Sequence, residues 1–116
     1  PSSCVSSGSD TRVRLNGSSR FMEVMCDYTG FWTRTHRADL RDLKYNRLKS
    51  ENALFLGIDV MNKQYMLIDF SGNVIAQYTP SHRAYGWKLA YSFDLTQYRL
   101  KKFNYEAIVD DIVAKF

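Results

Sequence analysis

Two cysteines, two histidines and six glycines are all that this chain of 116 residues holds of those types, and each shortage closes off a class of function. Cys4 and Cys26 can form at most one bridge, so the fold must rest on a core rather than on a disulfide framework. Cys4 sits in the Ser-rich leader PSSCVSSGSD with little around it to pack, and both cysteines read as free thiols of a reducing compartment. His36 and His82 stand in no metal-ligand spacing with each other or with a Cys or Asp. The glycines are isolated, so no Gly-rich loop is available to cradle phosphate. No apolar run approaches the ~18 residues that span a bilayer, and the N-terminal stretch lacks a basic segment followed by an apolar one. Together these absences predict an intracellular, cytoplasmic protein with no membrane partner, no cofactor and no metal.

What is present is a core: 45% of the residues are apolar and 15% aromatic. Residues 1–11 read as a disordered Ser-rich tail, and 12–116 as a single domain. TRVRLN (11–16) and FMEVMCDY (21–28) have the composition of strands around a GSS turn. In the second, Met22, Val24, Cys26 and Tyr28 alternate with Glu23 and Asp27, which predicts one buried and one wet face. Residues 35–52 contain good helix formers without Gly or Pro, and the spacing predicts a helix with Arg37, Arg41 and Lys44 on one side. LFLGIDVM, QYMLIDF and VIAQY, separated by NK and SGN turns, predict a three-stranded meander. WKLAYSFDL alternates so that Trp87, Leu89, Tyr91, Phe93 and Leu95 share a face, and after Asn104 an amphipathic stripe runs from Tyr105 to Phe116. The class is α+β: an antiparallel meander sheet of about five to six strands, with a central helix and a C-terminal helix packed on one face.

The net charge of +4 is unevenly spread. Between Arg34 and Lys49 six basic residues face two acidic ones, and between Arg83 and Lys102 five face one. The rest of the chain is net acidic, a polarity that suits an anionic partner. Aromatics are interleaved with these cations in YTGFWTRTHRADLRDLK and SHRAYGWK, and flat rings beside Lys and Arg suit the bases and phosphates of nucleic acid.

The pattern FLGIDV…YMLIDFSGNVIA resembles the first hairpins of the ribonuclease-H-like superfamily, which includes sugar kinases, resolvases and some transposases. The resemblance covers about 24 of the 116 residues and implies that Asp59 matches a first metal-binding carboxylate, with no assured counterpart for Asp69. A two-ion site needs several oxygen ligands from separate elements, and the later acids fall on polar strand or helix faces. A Cys26–His36 or Cys26–His82 nucleophilic pair is equally disfavoured, because Cys26 falls on the buried face of its strand. No catalytic residue is therefore assigned.

The expected function is a small non-catalytic module that contacts nucleic acid through Arg34, Arg37, Arg41 and Lys44. Arg99, Lys101 and Lys102 form a second patch, and Trp32 is a stacking residue. The alternatives are a protein-binding or inhibitory accessory factor, viral or from a mobile element, whose exposed aromatics and arginines anchor an interface, and a divergent ribonuclease-H-like metal nuclease. A sheet edge offers a route to a homodimer.

Overall fold

The structure, a computed structural model, describes residues 11–116. The expected tail lies outside these residues apart from Thr11, which opens the first strand. The order is β1 (Thr11–Leu15), β2 (Ser18–Asp27), α1 (Phe31–Thr35), β3 (Arg37–Arg41), α2 (Asp42–Ser50), β4 (Leu54–Asp59) and β5 (Gln64–Asp69). It continues with β6 (Gln77–His82), β7 (Lys88–Asp94), β8 (Lys101–Lys102) and α3 (Tyr105–Val113). The α+β class holds, but the strands divide into two sheets, ordered β1-β2-β4-β5-β8 and β3-β7-β6.

Every pair in both sheets is antiparallel except one. β2 and β4 run parallel, with Met22 beside Leu54 and Asp27 beside Asp59. Parallel neighbours need a crossover, and residues 28–53 provide it. This is where the expected long helix fails. Arg37–Arg41 is a strand paired with β7, and only Asp42–Ser50 is helical. Leucine, alanine and arginine are good helix formers, yet Ala38 and Leu40 alternate with Arg37, Asp39 and Arg41, and that period of two buries both apolar residues. Arg37 and Arg41 therefore share a strand face, and Lys44 is not part of it.

The larger sheet is buried on both sides. Toward the smaller sheet, Phe55, Met66 and Ile68 pack with Trp32, Leu40, Tyr45, Leu48 and Phe93. Toward α3, Met22, Leu54, Leu56 and Tyr65 pack with Ile108. β2 accordingly has no wet face: Glu23 and Asp27 are both buried. The tyrosines reinforce the inter-sheet layer, Tyr45 and Tyr91 lying stacked with ring centroids 3.8 Å apart.

Other expectations shift in detail. VIAQY does not continue the meander; the chain leaves the larger sheet after β5 and returns in the smaller one as β6. Trp87 is not core but 64% exposed, because it adopts a positive φ of 65° just before β7 and its ring turns out of the strand's pattern. α3 begins as expected, with the Asn104 side chain accepting from the Ala107 N–H at 3.0 Å. Ile108 alone is fully buried, while Tyr105, Val109 and Val113 stay exposed. Polar pins complete the docking: Tyr65 and Lys101 both donate to Asp111, and Arg20 donates to the carbonyl of Lys115.

Cys26 is disulfide-bonded, which overturns the expected free thiol. The sequence has one other cysteine, Cys4, outside the described residues. β1 lies antiparallel to β2 with Thr11 opposite Met22. Sparse packing around a cysteine says nothing about whether topology brings a partner to it. No helix among the described residues is long and apolar enough to cross a membrane.

At Gly57 this packing leaves no room for a side chain. A Cβ built there lies 2.8 Å from the Met66 methyl and 3.0 Å from the Trp32 ring. Gly57→Ala should destabilise the fold by about 1–3 kcal/mol through overpacking, read as a lower urea midpoint with an unchanged slope. Asp69 supplies a pH test. Burial acts to raise its pKa, but hydrogen bonds from Arg20 and Ser71, with the charge of Arg20, carry it from 3.8 down to about 2. The stability it contributes is complete above its ordinary value and lost as the pH falls toward 2. Urea unfolding between about pH 5 and 2 should show that slope, and Asp69→Asn should remove this part of it.

Candidate functional site

The two carboxylates of the GID and LID strands were the first candidates for chemistry. In the hairpin register Asp59 faces Gln64 and Asp69 faces Leu54, so they occupy opposite ends, roughly 17 Å apart at ~3.4 Å per residue. Paired ions in hydrolytic sites sit ~3.5–4 Å apart, so these residues cannot share such a centre. Their oxygens are also engaged. Asp59 is fully buried and accepts from the Thr33 hydroxyl, the Asn62 N–H and the Asn62 side-chain amide. Burial alone would raise its pKa, but these hydrogen bonds prevail and lower it. Asp69 binds Arg20 through both oxygens, at 2.6 and 3.2 Å, and accepts from the Ser71 N–H at 2.9 Å.

The same arrangement recurs. β2, β4, β5 and β7 each end on an aspartate, Asp27, Asp59, Asp69 and Asp94. Each carboxylate accepts a backbone N–H two or three residues ahead, from Thr29, Asn62, Ser71 and Thr96. In three of them the hydroxyl of the Thr or Ser two residues on donates as well, giving Asp-Tyr-Thr, Asp-Phe-Ser and Asp-Leu-Thr. This is turn chemistry. Asp27 also accepts from the Trp32 N–H at 3.0 Å, fixing the start of α1.

A Ser, an Asp and a His do converge, but in the wrong order for nucleophilic catalysis. Asp39 lies between the other two, 2.6 Å from the Ser92 hydroxyl and 2.8 Å from His82 Nε2. A base must contact the nucleophile itself, and here both donate to the carboxylate instead. His82 Nδ1 accepts from the Ala84 N–H at 3.1 Å, which places the ring proton on Nε2. Arg37 Nε completes the set at 3.0 Å from Asp39.

The basic residues divide. Trp32 is 5% exposed and belongs to the core, so its indole cannot stack on a base. Lys44 reaches inward to Glu23 at 2.8 Å and serves the fold. Arg41 sits at the far end of β3 with Asp42 at 3.6 Å. Arg37 is tied to Asp39, and Lys101 to Asp111 at 3.1 Å. Arg34, Arg99 and Lys102 have no carboxylate within ion-pair distance among the described residues.

Arg99 and Lys102 come to one end of the molecule, while the Arg34 guanidinium lies 5.8 Å from the centroid of the Phe31 ring and donates to the Thr29 carbonyl at 3.4 Å. Lys102 pairs with Gln64 across β5 and β8, and Gln64 Oε1 accepts from Thr33, the neighbour of Arg34 on α1. Thr33, His36, Gln64, Thr96 and Arg99 line one cleft of about 340 Å³. Lys63 adjoins it through its carbonyl, which accepts from the Phe103 N–H at 2.8 Å, and the Phe103 ring is 41% exposed. Sequence reading did not select His36, Lys63 or Phe103. Their signal is topological: each becomes part of the face only when α1, the β4–β5 turn and β8 meet.

No family model, curated protein or solved structure matches this chain.

The division of the basic residues can be tested at Lys44. Because Glu23 is 1% exposed, Lys44→Met should cost about 3–5 kcal/mol by breaking an ion pair to a buried carboxylate, and adding Glu23→Gln should restore much of it. Thermal melts of the single and double variants read both effects.

Proposed function

We propose that this protein is a non-catalytic module that binds nucleic acid, single-stranded in preference to duplex, at the face built from His36, Lys63, Arg99 and Lys102, with Arg34 of α1 nearby. The observation that carries this reading is that His36 and Arg99, more than sixty residues apart in sequence, line one cleft, with Lys102 paired beside it to Gln64. Cations without carboxylate partners are free to neutralise phosphates, and the exposed Phe103 offers a ring to a base. Lys101 borders the face but shares its charge with Asp111. Arg37, Arg41, Lys44 and Trp32, singled out from sequence, serve the fold or lie elsewhere. The bonded Cys26 favours an oxidising compartment over the cytoplasm expected from sequence.

A second reading, protein binding, draws on a different observation. Tyr105, Val109 and Val113 follow one another at four-residue spacing on the outer side of α3, and all three are exposed. The helical ridge suits an apolar groove on a partner.

Fluorescence anisotropy with labelled single- and double-stranded oligonucleotides at ~50 and ~200 mM salt separates the two. The nucleic-acid reading expects binding to weaken by one or more orders of magnitude across that range. Arg99→Ala with Lys102→Ala should weaken binding and reduce the salt slope by roughly 0.7 per lost single-strand phosphate contact, while Arg41→Ala should leave both unchanged. Absence of binding at low salt removes this reading and leaves the ridge on α3.

A further inference from the structure

A second cleft, of about 660 Å³, opens where the two sheets diverge beyond α1. One wall comes from the end of β2 and from α1, which present Met25, Phe31 and Trp32. The other comes from β3 and the corner after β6, which present Arg37, His82 and Tyr85, with Arg83 and Ala84 at the rim. Its size and largely apolar lining, with a few polar groups converging on it, are those of a small-molecule site.

The polar groups of the second wall are held in place by one another. Asp39 accepts from Arg37, His82 and Ser92, and its own carbonyl accepts from the Tyr85 hydroxyl at 2.9 Å. The His82 and Tyr85 rings sit 4.9 Å apart. Asp39 and Asp27 both border the cleft, but their oxygens are turned to these donors and to Thr29 and Trp32, and both are largely shielded from solvent. The charge that remains accessible is positive. Arg83 is exposed without a carboxylate in ion-pair distance among the described residues, and the Arg37 side chain is 48% exposed.

Alternation along β2 sends Met22 and Val24 toward α3, and Phe21, Glu23 and Met25 toward the smaller sheet, with Cys26 bordering the cleft near the strand's end.

We infer that this cleft is a binding site for a small organic monoanion with a planar apolar body, of the aromatic carboxylate or sulfonate class. The Phe31 ring and the Met25 thioether take the apolar body, with the buried Trp32 forming part of the wall, and Arg83, flanked by Arg37, takes the anionic group. The cleft shares no lining residue with the one at Arg99, so the inference does not rest on nucleic-acid binding.

The test uses 8-anilinonaphthalene-1-sulfonate as the probe, with fluorescence titration of the full chain in native buffer. Saturable binding of one dye per chain is expected, and 2-naphthoate should displace it at least about tenfold more effectively than the neutral 2-naphthalenemethanol. Ala84→Trp, placed at the exposed rim, should fill the cleft and reduce dye affinity by about tenfold or more. Arg83→Ala should reduce it by a similar factor, with Arg83→Lys intermediate. Both rim positions are exposed, so the variants should melt like the parent, and circular dichroism checks this. Failure to saturate at one site, equal displacement by the charged and neutral competitors, or unchanged affinity in folded Ala84→Trp and Arg83→Ala would each overturn the inference. Loss of oligonucleotide binding with retained dye binding would sink the reading of the basic face alone.

Discussion

The parallel pairing of β2 with β4 is the constraint on which the rest of the molecule depends. Two neighbouring strands that run the same way cannot be joined by a tight turn, so the chain has to travel back across one face of the sheet. In doing so it lays down α1, β3 and α2, and β3 then becomes the strand to which β7 pairs. The register of the parallel pair also sets Asp27 beside Asp59. Both carboxylates point at the start of the crossover, one holding the Trp32 N–H and the other the Thr33 hydroxyl. Trp32 then settles over Gly57, where the missing side chain makes room for its ring. A single topological choice thus fixes the inter-sheet core, the orientation of α1 and the two clefts it helps to line.

Acidic residues in this protein are mostly a means of ending strands and bracing the core. A carboxylate at the last strand position can accept the N–H groups of the turn that follows, which would otherwise face each other without partners. Its negative charge is then distributed over fixed donors, and it is poorly suited to hold an ion or move a proton. Glu23 and Asp39 play a related part deeper in the structure, each neutralised by a basic side chain from another element. Among the described residues, the cations outside this use include Arg34 on α1, Lys63 in the β4–β5 turn, Arg83 after β6 and Arg99 in the loop before β8.

Much of the architecture was legible in the sequence. Period-two stretches placed β1, β2, β4, β5 and β7, and Asn104 marked the start of α3. The failures share a cause, since each involved a partner far away in the chain. Residues 37–41 have helical composition, and only the neighbouring β7 makes a strand of them. Glu23 alternates like a surface residue and is buried because Lys44 arrives to meet it. Trp32 stands among arginines and reads as exposed, yet the glycine that receives its ring lies twenty-five residues on. The recurring Asp-x-Thr/Ser at 27–29, 69–71 and 94–96 was legible and pointed to turns rather than to metal chemistry. For the basic face, sequence could supply the cations but not their neighbours.

The outermost strands have a consequence for how the molecule meets others of its kind. An open sheet edge exposes backbone donors and acceptors that invite another chain to add on, and such addition is the beginning of aggregation. β6 carries Pro80, which has no N–H to offer, and its pairing shifts between Thr79 and His82. β8 is two lysines long, β1 bears Arg12 and Arg14, and β3 alternates Arg37, Asp39 and Arg41. Each border is blunted by shortness, by charge or by proline. Among the described residues these features weaken each border as a template for a further strand, and they shift recognition toward side chains, where chemistry rather than backbone geometry selects a partner.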